Sequence, residues 1–202
     1  MFTKNLAAFG VCIFVGTTTA FAAGGVNPPP SMSITERTSQ PIGHYEFCKD
    51  RPDECAPTPA SGPVRLTSAR WAQLVAVNNR VNTRIKPVPD LEIWGRPEVW
   101  SYPDRVGDCE DYVLLKRRML MQQGWPAASL LITVVRQTNG DGHAVLTVRT
   151  DRGDYVLDNL EPSVLLWTRT PYQFVKRQSE TDAGQWVSIS DDRPMLVGSV
   201  RP

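Results

Sequence analysis

Histidine is scarce in this sequence: two residues, His44 and His143, among 202. Any reaction that needs an imidazole base has those two candidates and no others. Charge of one sign is also missing. Lysine and arginine number 22 against 21 aspartates and glutamates, a formal net charge of +1. No basic stripe is interleaved with aromatic residues, so nothing supports a nucleic-acid partner. Apolar runs are confined to the start of the chain, and no later one reaches the roughly 20 residues that a membrane-spanning helix needs. There is no internal repeat, no EF-hand loop and no cysteine spacing of the zinc-binding kind. What is left is a near-neutral globular chain, long enough for one domain with its own core.

The first residues carry an export pattern. Lys4 gives a positive start, Leu6 to Val15 is an apolar stretch, and Ala20-Phe21-Ala22 has the small-x-small form that signal peptidase reads. Residues 1–22 are therefore expected to be a signal peptide cleaved after Ala22, leaving a soluble chain in an oxidising compartment. Cleavage removes Cys12 and leaves Cys48, Cys55 and Cys109. Cys48 and Cys55 lie close together in a Pro-rich stretch and are expected to form a disulfide. Cys109 is then the odd cysteine, a thiol that is either buried or used.

Residues 23–63 are rich in Pro, Ser, Thr and Gly and lack sustained periodicity, which predicts an extended N-terminal arm stapled by the disulfide. Residues 64–202 are expected to form the compact domain. Thr67 or Ser68 can cap a helix in which Trp71, Leu74, Val75, Val81 and Ile85 recur at helical spacing before Pro87 and Pro89 close it. A second helix is expected from Asp108 to Gln123, ended by Gly124 and Pro126. The period then changes to two. Leu130 to Arg136, His143 to Thr150 and Tyr155 to Leu157 read as strands joined by Gly-containing turns, with two more near Tyr172 to Arg177 and Trp186 to Ile189. Helices first and antiparallel strands afterwards predict an α+β domain.

Three residues on these elements carry chemistry. Cys109 stands at the start of the second helix, where unpaired N–H groups favour a thiolate and can stabilise the oxyanion of a tetrahedral intermediate. The backbone N–H of Cys109 is one candidate donor, and an indole of Trp94 or Trp100 is a candidate for the second. His143 opens a strand after a glycine turn, while His44 lies in the Pro-rich segment. Alternation puts His143 with Val145 and Thr147 on one face. Asp158 ends the next strand, where its carboxylate can orient the imidazole. Cysteine, histidine and aspartate in these places make a nucleophile, its base and the orienter of the base.

Gly107-Asp108-Cys109-Glu110-Asp111-Tyr112, Gly142-His143-Ala144-Val145-Leu146 and Leu157-Asp158-Asn159-Leu160 resemble the bacterial transglutaminase-like cysteine proteinases. Asn78, Asn82, Trp94 and Trp100 extend the likeness, which runs from Leu66 to Ile189. The resemblance implies a papain/transglutaminase-like fold, with Cys109, His143 and Asp158 as catalytic residues. It also implies a periplasmic location and a protein substrate such as a cell-surface adhesin. A membrane-bound regulatory receptor is implied as the partner.

Asp104, Asp108, Glu110 and Asp111 crowd the cysteine in the sequence. Acidic residues in a first helical turn complement the helix dipole, yet they also raise the thiol pKa. A bound cation would remove the conflict, and carboxylate oxygens suit calcium. The resemblance points to Asp108 and Glu110 as its ligands; the chemistry itself needs no cofactor. The leading expectation is an exported cysteine endopeptidase. The same thioester could meet an amine instead of water, as in a transglutaminase, or arise from a cell-wall amide. Two further readings are a binding module without turnover and a Cys109 that bridges to another chain.

Overall fold

The computed structural model describes Met1 and residues 31–193. The Leu6 to Val15 stretch and the expected cleavage point after Ala22 lie outside the described residues. In chain order the elements are β1 (Ser33–Thr38), α1 (Ile42–Asp50), α2 (Ser68–Arg84), β2 (Lys86–Pro87), α3 (Asp90–Trp94), β3 (Val106–Gly107) and α4 (Cys109–Gln122). The strands β4 (Leu130–Arg136), β5 (Gly142–Thr150), β6 (Gly153–Leu157), β7 (Leu165–Leu166), β8 (Gln173–Gln178) and β9 (Trp186–Ser190) follow. Seven of the strands form one antiparallel sheet in the order β1-β9-β8-β4-β5-β6-β7, and β2 pairs with β3 separately.

Local chemistry accounts for the central elements. The Thr67 hydroxyl caps α2 by accepting the N–H of Arg70 at 3.2 Å. Leu74, Val77, Asn78 and Val81 recur on its buried face. Val135 faces His143 across β4 and β5, and Leu146 faces Leu157 across β5 and β6. Strand alternation divides the core between the two faces of the sheet. Ala144, Leu146, Val148 and Leu157 pack under α2 and α4 with Leu74, Val81, Tyr112 and Leu120. Val145 and Val156 belong to a smaller cluster with Met32, Val135, Trp167, Phe174 and Ile189.

The described part of the expected N-terminal arm is built into the domain. It supplies β1, which pairs with β9 at the sheet edge, and α1, whose Phe47 enters the main core. Two physical facts hid both elements. The strand is exposed along almost its whole length, and the helix buries only Gly43, His44 and Phe47. Neither leaves the apolar period that marks an element packed on one side. The expected Cys48–Cys55 disulfide is formed, with the Cα atoms 5.6 Å apart. It ties α1 to the short turn Pro52–Cys55 and constrains the unfolded chain by about 2.5 kcal/mol for a loop of this length.

Candidate active site

Gly107 leads into α4 and has no room for a side chain: a Cβ there would stand 2.6 Å from Asp111 Oδ2. Cys109 is the first residue of the helix and is partly exposed. Its thiol donates to Glu110 Oε2 at 2.8 Å and takes a hydrogen bond from the backbone N–H of Ala144, the residue after His143 on β5. Burial, followed by the charge and hydrogen bond of Glu110, pushes the thiol pKa well up. The favourable field of the helix start is thus outweighed, and the sulfur holds its proton facing a carboxylate.

His143 is 5% exposed. Its Nε2 is hydrogen-bonded to Asp158 Oδ1 at 2.8 Å, which leaves Nδ1 to exchange a proton with a thiol. Asp158 is held on every side. Oδ1 also accepts the N–H of Leu160 at 3.0 Å, and Oδ2 accepts the Tyr172 hydroxyl at 2.5 Å. The backbone carbonyl accepts Asn82 Nδ2 at 2.8 Å, so α2 fixes the turn after β6. Burial raises the Asp158 pKa, but the hydrogen bond and charge of His143, with Tyr172 and Leu160, outweigh it and hold the carboxyl below its ordinary range. Beneath this pair lies Lys116 of α4, fully buried and with no hydrogen-bond partner for its ammonium among the described residues, 5.8 Å from the centre of the Tyr112 ring. Burial lowers its pKa to about 7 against the pull of the Asp158 charge.

The opposite side of the thiol is acidic. Ligand oxygens of Asp90, Asp108 and Glu110 lie within 4.8 Å of one another. One oxygen of Asp90 and one of Asp108 are buried without a hydrogen-bond partner among the described residues. Burial and the neighbouring charges of Glu110 and Asp90 push Asp108 up to about 8. Burial also raises Asp90 and Glu110. Oxygen donors with uncompensated charge and orphaned lone pairs fit a hard cation such as calcium.

The chain matches the family described as bacterial transglutaminase-like cysteine proteinase BTLCP over residues 34–194. It belongs to that family. The fold is the papain/transglutaminase-like one, and the protein is a cysteine peptidase. Legionella pneumophila LapG is similar at 29% identity, with 58% of this chain and 68% of that chain covered and a TM-score of 0.50. Its calcium-bound form aligns at 27% identity over 62% of this chain and 74% of that one, also with a TM-score of 0.50. The EGTA-treated form gives 28%, 60% and 72%, with the same score. No match was found among curated proteins.

Against this family frame, the expected site residues divide. His143 and Asp158 meet directly, and Cys109 reaches the strand beside them. Asp108 and Glu110 face each other in the acidic cluster, joined by Asp90. Asp90 was not legible as a site residue, because it stands at the start of α3, well upstream of the cysteine; the Pro89-Asp90 helix start was the only signal.

Two of the acids read as crowding the cysteine do other work. Asp104 is 89% exposed and pairs with Arg84 at 3.8 Å. Asp111 turns away to accept the N–H of Ser101 at 2.7 Å, anchoring the loop before the helix. The two indoles read as candidate oxyanion donors lie beside α1. Trp100 Nε1 stands 2.6 Å from where a Gly43 Cβ would be, and Trp94 lines the same surface cavity as Gly43 and Trp100. His44 is a core residue. It lies between Trp100 and Trp186, within 3.8 Å of both disulfide sulfurs. Burial, then the charge of Arg117, lowers its pKa to about 4.

Proposed function

We propose that this cysteine peptidase is an exported endopeptidase that hydrolyses a peptide bond of a periplasmic or cell-surface protein through Cys109, His143 and Asp158. The observation that carries the reading is the buried 2.8 Å hydrogen bond between His143 and Asp158, set beside the strand residue that touches the Cys109 thiol. For reaction the thiol turns from Glu110, and His143 Nδ1 takes its proton. Asp158 stabilises the imidazolium that results. The sulfur attacks the carbonyl, and the backbone N–H of Cys109 offers the oxyanion a donor. His143 then protonates the leaving amine, and water cleaves the thioester.

Calcium fits the acidic cluster, with Asp90, Asp108 and Glu110 to hold it; when bound, it supplies positive charge beside the thiol. Glu110 is both a candidate ligand and the acceptor of the thiol proton, so engagement with a cation competes with its hold on the sulfur. A calcium-bound LapG structure supports this assignment. The substrate we favour is a surface adhesin, with a membrane-bound receptor as regulator, in line with the adhesin-releasing members that the sequence resembles.

Two measurements test the proposal. With calcium present, iodoacetamide should label Cys109 in the mature protein faster than a free thiol at neutral pH, and His143→Ala should slow it. Equal, slow labelling of both would point to a scaffold without turnover. Cleaved peptides in the exported proteome should disappear with Cys109→Ala, and an unchanged peptide profile would overturn the peptidase assignment.

A further inference from the structure

Tyr172, expected only as the start of a strand, directly precedes β8. Its hydroxyl donates to Asp158 Oδ2 at 2.5 Å, while the other oxygen of that carboxylate serves His143 at 2.8 Å. Its ring meets the His143 imidazole edge-on, with centroids 5.6 Å apart and planes at 62°. One side chain thus touches both members of the pair. Its backbone is fixed from behind: Arg193 Nη2 donates to the Tyr172 carbonyl at 2.7 Å, and the guanidinium is held by both carboxylate oxygens of Asp191 at 2.7 and 2.8 Å. Arg193 also lies over the Trp167 ring at 4.5 Å.

We propose that Tyr172 is a positioning residue of this site, with its hydroxyl setting the rotation of the Asp158 carboxylate and its ring setting the plane of His143. The inference rests on the triad reading above. A carboxylate bonded through one oxygen can swing about its terminal torsion, which is broad and roughly two-fold. A donor on Oδ2 removes that freedom and keeps Oδ1 on the imidazole. The ring has a second effect. A cavity of about 180 Å³ lined by Asp158, Leu160, Thr170 and Tyr172 adjoins this side. Shortening residue 172 would join that cavity to the His143–Asp158 bond and let water compete for it.

The test uses iodoacetamide labelling of Cys109 as a function of pH in the full mature chain. The charged or titratable groups that face Asp158 are His143 from β5, Lys116 from α4 and Tyr172 itself, with Glu161 close to Tyr172. Tyr172→Phe keeps the ring and removes the hydroxyl. Labelling at pH 7 should slow by about 10- to 100-fold, the scale of a hydrogen bond to a charged group. The acid limb of the rate should move to higher pH, because Asp158 loses a donor that keeps it ionised. A purely structural tyrosine would lower the melting temperature and leave the limb in place.

Wild-type rate and limb in Tyr172→Phe, with His143→Ala still slow, would overturn this inference alone. A His143→Ala protein that labels like wild type would remove the triad reading, and this inference with it. Arg193→Gln frees the Tyr172 backbone without altering either side chain at the pair, and it should slow labelling to a lesser degree. If Tyr172→Phe fails to fold, an unchanged rate in Arg193→Gln decides against the proposal.

Discussion

The carboxylates on the two sides of Cys109 are treated in opposite ways. Asp158 receives Nε2–H, O–H and backbone N–H donors on its oxygens and is held ionised despite burial. Asp90, Asp108 and Glu110 are pressed together and raised in pKa, and Asp90 and Asp108 each keep a buried oxygen with no hydrogen-bond partner among the described residues. Burial acts on both groups, so it does not distinguish them. Compensation does. The base side of the site is complete once the chain folds, whereas the acidic side has its negative charge still to be balanced.

That contrast can be broken or sharpened by experiment. The largest effect is expected on the completed side. His143→Ala should lower peptide hydrolysis by roughly 100- to 10,000-fold, the range for loss of general acid–base catalysis, measured on whichever peptide the proteome comparison identifies. Similar rates for the mutant and wild type would mean that the buried pair is structural.

A titratable group needing no partner charge gives the next effect. His44 has a folded pKa of about 4 against an ordinary value of 6.5. Between these values the unfolded chain binds the proton and the folded one does not, so stability is full above pH 6.5 and falls as pH drops toward 4. The loss should approach roughly 3 kcal/mol in urea unfolding. A His44→Gln protein should lose that slope; retention of the slope would assign it to other groups.

On the incomplete side, calcium at about 100 times its dissociation constant should stabilise the fold by about 2.7 kcal/mol. A chelator should reverse the gain and slow labelling of Cys109; no change in melting temperature or labelling would leave the cluster as a plain helix-start feature. Smallest is the relief of repulsion. Asp108→Asn should stabilise the calcium-free protein by about 1 kcal/mol and abolish the calcium response. The corresponding Asp158→Asn should not stabilise, and stabilisation by both would erase the distinction between the two sides.

The parts of the fold that were legible are those with a period and a stop. Thr67 as a cap, the glycine turns and the alternation of β4 and β5 located α2 and the central hairpin, and their ends matched the structure closely. Cys109, His143 and Asp158 were legible because each sits at an element end that sequence marks. Asp90 and Tyr172 were not, since their importance comes from tertiary neighbours. Nothing in the sequence marks that the ammonium of Lys116 is buried without a hydrogen bond among the described residues. An exposed strand and a helix with few buried residues left β1 and α1 unread.

The pairing of β1 with β9 has a consequence for folding order. Ser33 sits opposite Ser190, so β1, the first of the described strands, needs a partner made much later in the chain. Pairing over that separation costs loop-closure entropy before any contact is gained. During synthesis β1 must wait unpaired, and its polar, exposed side chains suit it to waiting without aggregation. The edge of the sheet should therefore be the last part to close and the first to open, which hydrogen exchange of the β9 amides would time.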